Sequence, residues 1–169
     1  MSESYAVNEK GDLIRIKSGY YTIRIGDYSE DELIAKLFPD AVLTMECALY
    51  VYGYIKRKPY GYQVAVDKNT SKSRFKLEFP KVTPFYAEPE TLQFGVDSID
   101  FGNAKMQIFD KDRLICECLK YEDKMERTVF KEGVLSYIKD EKKDVAKLMK
   151  YARERRVVKK VQSMIGVWL

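Results

Sequence analysis

The fold is decided by residues 109–119, which read Phe109-Asp-Lys-Asp-Arg-Leu-Ile-Cys-Glu-Cys-Leu119. Upstream of this stretch the apolar residues recur mainly with the period of two that is typical of strands. Downstream they recur with the helical period of about 3.6. Asp110 is a good N-cap, and four apolar residues follow at the spacing of one helix face, namely Leu114, Ile115, Cys118 and Leu119. The stretch therefore predicts a helix buried between a sheet-forming part and a helical part.

Two charged residues also lie on this predicted helix. Arg113 and Glu117 are four positions apart, which is the spacing of neighbours on a helix surface. The simplest interpretation is a solvent-exposed pair that supports the helix locally by ~0.2–0.5 kcal/mol.

The region before this helix predicts a small, largely antiparallel sheet with short helices. Ser29 and Glu32 form a capping box for a first helix, and Thr44 is in a position to cap a second helix that Gly53 ends. Strands are predicted at residues 62–66, 74–79 and 82–86, and a hairpin at 96–101 and 104–108 over Gly102-Asn103.

A further hairpin is predicted at the N-terminus, where residues 13–17 and 20–25 flank a Ser18-Gly19 turn. Its arms carry Arg15, Lys17 and Arg24. These cations suit either an edge hairpin that resists aggregation or a wing that contacts phosphates.

The region after residue 119 predicts a helical bundle. Residues 127–139 are helical despite Gly133, which costs ~1 kcal/mol against Ala. Asp144 caps the next helix, and a last helix follows from Val157. The fold class is therefore α+β: an N-terminal β-hairpin, a small largely antiparallel sheet with short helices, then a C-terminal helical bundle.

The C-terminal helices also concentrate positive charge between two apolar stripes. The candidate surface for a partner or for nucleic acid combines these residues with the hairpin: Arg15, Lys17, Arg24, Lys147, Lys150, Arg153, Arg156, Lys159 and Lys160. A solvated bundle face explains such charges equally well, and composition does not separate an acidic protein partner from nucleic acid.

The amino-acid composition disfavours several kinds of catalytic and metal-binding site. The chain of 169 residues contains no histidine, which removes the commonest general base and metal ligand. Its net charge of +4 permits an acidic partner without requiring one. The three cysteines form an odd set, and no apolar run approaches the length of a membrane span. We therefore expect a cytoplasmic protein without membrane association, metal or cofactor. The acidic cluster Glu122-Asp-Lys124 supports a metal-dependent nuclease only weakly.

Four ordered blocks of the sequence resemble the AbiEi-type antitoxins, which pair with nucleotidyltransferase toxins in type IV toxin-antitoxin systems. Residues 11–21 resemble the wing after the helix-turn-helix of that family, and residues 38–50 resemble its helix preceded by a proline. Residues 109–117 are similar to the segment that opens its helical part, and residues 144–168 to its closing helix pair.

The resemblance implies a wing-like remnant at residues 1–27 and an antitoxin-type α+β domain at residues 28–169. It implies a non-enzymatic antitoxin of an abortive-infection phage-defence system, whose partner is the cognate nucleotidyltransferase toxin, bound directly or opposed indirectly. The alternative is a DNA-binding transcriptional regulator of its own operon. Only ten residues precede the hairpin region, too few for the DNA-reading helices of the family, so we expect DNA binding to be weak.

Overall fold

The computed structural model describes residues 5–7, 13–15 and 29–168. At the N-terminus, β1 (Tyr5–Val7) pairs antiparallel with β2 (Leu13–Arg15). The sequence predicted that β2 pairs with residues 20–25, which lie outside the described residues, so the predicted N-terminal hairpin is not shown. Five residues, which include Gly11, connect β1 to β2 in the sequence. The short apolar run of β1 is therefore as suitable a partner for β2 as residues 20–25.

The main sheet has five strands: β3 (Val42–Leu43), β4 (Tyr62–Asp67), β5 (Val82–Ala87), β6 (Val96–Phe101) and β7 (Ala104–Phe109). Their order is β5-β4-β3-β7-β6. β3 is antiparallel to β4 and parallel to β7, while β4 and β5 are parallel and β6 and β7 form the predicted hairpin. The sheet is mixed, so the prediction of a largely antiparallel sheet is wrong. The central strand β3 has only two residues, too few for a periodic signal.

The strand predicted at residues 74–79 is also wrong, because Lys72–Phe75 form a 3-10 helix. Phe75 stacks on the ring of Phe38 with centroids 5.4 Å apart, and the guanidinium of Arg74 lies 5.1 Å from the centroid of the same ring. Consecutive residues of a strand point to opposite faces, so a strand would not bring both side chains to one ring.

The helices are α1 (Glu30–Leu37), α2 (Met45–Val51), α3 (Lys111–Lys120), α4 (Arg127–Lys139), α5 (Val145–Glu154) and α6 (Val158–Met164). Short 3-10 helices lie at Pro89–Leu92, Glu122–Lys124 and Gly166–Trp168. The predicted caps Ser29, Asp110 and Asp144 each accept a hydrogen bond from the backbone N–H three residues later.

The predicted cap Thr44 makes no such bond. Met45 has a φ of 48°, so the first turn of α2 departs from regular helix geometry. The backbone N–H of Cys47 donates instead to Oε1 of Gln63 on β4, at 2.8 Å. The sheet therefore supplies the cap that the sequence assigned to Thr44.

Helix α3 is the centre of the molecule, as the sequence predicted. Every residue from position 112 to 119 is buried, and the helix packs against α2, α4, α5 and α6. None of the helices in the described part of the chain is both long and apolar enough to cross a membrane.

Candidate functional site

A buried cluster of three charged side chains joins α3 to the end of α5. Arg113 and Glu117 are 0% and 3% exposed, so the prediction of a surface pair is wrong. Nε and NH2 of Arg113 donate to Oε1 of Glu117 at 3.2 and 2.9 Å. Nε of Arg155, which directly follows α5, donates to the two oxygens of the same carboxylate at 2.7 and 3.2 Å. One carboxylate therefore balances two buried guanidinium groups.

The surroundings of Arg113 make its burial possible. Its guanidinium carbon lies 4.2 Å from the ring centroids of Phe94 and Phe109, and NH1 donates to the carbonyl oxygen of Phe94 at 2.8 Å. Burial lowers the pKa of Arg113, and the charge of Glu117 opposes that change. Gly95 allows this approach, because it has a φ of +64° and a Cβ there would lie 2.8 Å from Cβ of Arg113.

A second polar network lies at the N-terminus of α3. Asp110 accepts from the hydroxyl of Tyr151 at 2.8 Å. Asp112 accepts from the hydroxyl of Tyr137 at 2.6 Å and from the backbone N–H of Asp144 at 3.0 Å. The burial of Asp112 raises its pKa. These carboxylates hold α4 and α5 against α3, so Asp110 does more than cap α3.

A cavity of about 570 Å³ is lined in part by Arg155 of the ion cluster, and we call it the basic pocket. Its positively charged residues come from three parts of the chain. Lys68 follows β4, Lys120 is the last residue of α3, and Arg155 and Arg156 lie in the turn between α5 and α6. Nζ of Lys120 donates to the carbonyl oxygen of Arg155 at 3.3 Å, which fixes the end of α3 to this turn.

Arg155 is the most constrained of these cations. The side chain is only 8% exposed, and its Nε is used by Glu117. Within the described ranges no acceptor lies within hydrogen-bonding distance of its two terminal nitrogen atoms, although Arg155 lines the basic pocket. Glu117 therefore orients a guanidinium whose remaining donors are available to a ligand.

Several positive charges around Lys120 act on it in the same direction. Burial lowers the pKa of its ammonium group, and the positive charges of Arg155, Arg156 and Lys160 lower it further, against the opposing effect of Glu117. The end of α3 and the turn after α5 thus form a region of positive potential at one wall of the pocket.

The lining of the basic pocket also contains acidic and aromatic residues. Glu88, Glu90 and Glu154 are exposed there, and Glu88 pairs with Lys68 at 2.8 Å. The half-buried residues Tyr86 and Tyr121 also line the pocket. The pocket therefore combines anion-binding donors with hydrogen-bond acceptors and aromatic residues.

The predicted site residues are distributed over several surfaces. Arg15 lies in β2, whereas Lys17 and Arg24 fall outside the described residues. The following are exposed: Lys147, Lys150, Arg153, Arg156 and Lys159. Lys160 is half-buried and is held by the carbonyl oxygen of Leu119 at 2.9 Å and by Glu122 at 3.2 Å.

Of this predicted set, Arg156 lines the basic pocket. Sequence reasoning missed Lys68, Lys120 and Arg155 as residues of the same site. A signal existed for Arg155, because it continues the buried face of α5 that contains Leu148 and Ala152.

A second cavity, of about 510 Å³, is lined by the tyrosine-rich segment at residues 50–62 and by α1. Tyr62 donates to Asp31 at 2.7 Å at its edge, and burial raises the pKa of the Cys47 thiol in its wall to about 12. The three cysteines are buried free thiols. Over the described residues, no group of three or more acidic or cysteine side chains is arranged to hold a metal ion.

Comparison with known proteins adds no family to this description. No family model matches the chain, and a search of curated proteins finds no match.

Proposed function

We propose that this protein is the antitoxin of a type IV, AbiEi-like toxin-antitoxin or abortive-infection phage-defence system, and that it opposes a nucleotidyltransferase toxin by binding rather than by catalysis. The observation that carries the proposal is that three of the four resembling blocks pack together. Residues 38–50 contain β3 and all of α2 except its last residue, residues 109–117 enter α3, and residues 144–168 contain α5 and α6. Because α3 packs against α2, α5 and α6, these three blocks share one core.

The proposed contact surface is the basic strip of α5, which we define as Lys147, Lys150 and Arg153. All three residues are exposed, and their spacing of three places them along one side of the helix. The buried side of α5 is formed by Leu148, Tyr151 and Ala152. The strip is therefore not needed for the core, and it suits an acidic surface on the toxin. Exposed charges of this kind raise association rates more than they slow dissociation.

Growth rescue tests the proposal. The chain is co-expressed with a nucleotidyltransferase toxin of the type IV systems, and we expect it to restore growth. Reversal of Lys147, Lys150 and Arg153 to Glu should reduce rescue while circular dichroism stays unchanged, since exposed substitutions cost within ~0.5 kcal/mol each.

The matched control reverses three exposed lysines away from α5, namely Lys72, Lys76 and Lys81. This variant carries the same change in net charge and should rescue growth fully. Failure of the parent chain to rescue would contradict the antitoxin proposal. Full rescue by a folded strip variant would remove the strip from the mechanism.

A second candidate function is a DNA-binding regulator of the operon, and the same exposed strip favours it. In that case the logarithm of the binding constant for promoter DNA should fall steeply with the logarithm of the salt concentration. A dissociation constant of ~10⁻⁸ M or tighter at physiological salt would support the regulator over the antitoxin.

A further inference from the structure

We propose that the basic pocket binds a nucleotide, with its phosphate group on Arg155, Lys120 and Arg156. This inference concerns a site separate from the basic strip of α5, and it does not depend on the proposed antitoxin function.

Arg155 is already oriented to bind a phosphate. A guanidinium carries five N–H donors in a rigid fork, and phosphate oxygens match the paired donors at its end. Glu117 engages Nε at 2.7 Å, and Arg113 fixes Glu117 in turn. Among the residues described, no acceptor reaches the two terminal nitrogens of Arg155, and these nitrogens are not fully buried, so they remain accessible to a ligand in the pocket that Arg155 lines. A phosphate in the pocket supplies those acceptors without rearrangement of the side chain.

The concentration of positive charge also favours a phosphate. Lys120, Arg155 and Arg156 come from two different parts of the chain and line the same cavity, and the charge of Lys160 also acts on Lys120. Cations held this close repel one another, and a bound anion relieves that repulsion. The depressed pKa of Lys120 is the expected consequence of partial burial among these positive charges. A phosphate is the anion of choice because it presents several acceptor oxygens to three donors at once.

The rest of the pocket lining favours a ligand larger than a lone phosphate. Its volume of about 570 Å³ falls within the range of small-molecule sites, ~300–1,000 Å³. Tyr86 and Tyr121 offer aromatic surface on which a base can stack. Glu90 and Glu154 offer acceptors for ribose hydroxyls and exocyclic amino groups, which are donors. A free polyphosphate would meet repulsion at these carboxylates, whereas a nucleoside portion would not.

Isothermal titration calorimetry with ADP, adenosine and inorganic phosphate as separate probes tests this assignment on the full chain. We expect ADP to bind at least ~10-fold more tightly than adenosine, because only ADP offers phosphate oxygens to the guanidinium and ammonium donors, and hydrogen bonds to charged groups are stronger than neutral ones. We also expect ADP to bind more tightly than inorganic phosphate. Equal affinities for ADP and phosphate would overturn the nucleoside part of the proposal, and absence of ADP binding at millimolar concentration would overturn all of it.

Two variants identify the site. Arg155 is unsuitable because its replacement removes two hydrogen bonds that Glu117 accepts inside the buried cluster, whereas Lys120 is half-buried and Arg156 is exposed. Lys120→Gln and Arg156→Gln should each weaken ADP binding by roughly 10-fold. The matched control is Lys76→Gln, which removes the same charge from an exposed position outside both the pocket and the basic strip of α5 and should leave affinity unchanged. Equal losses in all three variants would indicate non-specific attraction, and unchanged affinity in the two pocket variants would place ADP elsewhere; either result overturns the proposal.

Discussion

Replacement of Glu117 by Gln is the most direct test of the ion cluster at the centre of the fold. The change preserves the shape of the side chain and removes its charge. Arg113 and Arg155 then remain buried without the carboxylate to which both donate at 2.7–3.2 Å. Removal of one partner from a buried ion pair costs ~3–5 kcal/mol, because the remaining charge stays desolvated. We expect a loss in that range from the free energy of unfolding.

The measurement is urea unfolding followed by far-UV circular dichroism, at low salt and at about 1 M NaCl. The matched control is Asp100→Asn, which neutralises the partner of Lys105 in a pair whose side chains are 80% and 72% exposed. We expect this control to lose less than ~1 kcal/mol at low salt and nothing measurable at high salt. Salt should leave the Glu117→Gln loss nearly unchanged, since buried charges are screened much less. A loss below ~1 kcal/mol, or one that salt abolishes, would show that the cluster is not the buried unit described above.

Two further substitutions probe positions where sequence rules alone give the wrong answer or none. Gly133→Ala should stabilise the protein by less than the ~1 kcal/mol that helix propensity alone predicts, because the new Cβ would lie 2.8 Å from Cδ1 of buried Leu49, whose side chain would have to shift; the full gain of ~1 kcal/mol in urea unfolding would contradict this. Hydrogen bonds from Lys111 and Tyr54 hold the pKa of Asp140 well below its usual range, so its stabilising effect is present above the unfolded-state pKa near 4 and is lost as pH falls through the folded-state value. The stability gap between the parent and Asp140→Asn should therefore be constant near neutral pH and shrink below about pH 4, which unfolding curves at several pH values would check.

The features that sequence predicts well are local ones. Ser29, Asp110 and Asp144 cap their helices through N–H groups only three residues away, so the side chain and its partner fall in one short window. The β6–β7 hairpin is equally local, since Gly102-Asn103 joins strands that pair directly. Thr44 shows where local sequence signals fail. The residues around it resemble a helix N-cap, but the backbone N–H of Cys47 donates to the side chain of Gln63, which is distant in sequence.

The features that sequence misses depend on distant partners. Periodicity identified the buried face of α3 but placed Arg113 on the exposed face. The burial of Arg113 depends on the ring of Phe94 upstream and on Glu117, which is also bound by Arg155, 42 residues after Arg113. The basic pocket has the same origin. Charge density predicted Arg156, whereas Lys68 and Lys120 reach the pocket from elements that carry no unusual charge pattern.

The two-residue strand β3 also has a consequence for how the sheet is assembled during synthesis. Val42 pairs with Ala65 on β4 and with Gln107 on β7, so its second neighbour leaves the ribosome about 65 residues later. At ~5–20 residues per second this delay is ~3–13 s. For that time one edge of the nascent β3 has no strand beside it, and unpaired edges of this kind recruit other chains. Because β3 has only two residues, the edge that it exposes before β7 is synthesised is very short. A short central strand therefore leaves little unpaired backbone to which another chain could pair, and this limits aggregation of the unfinished chain.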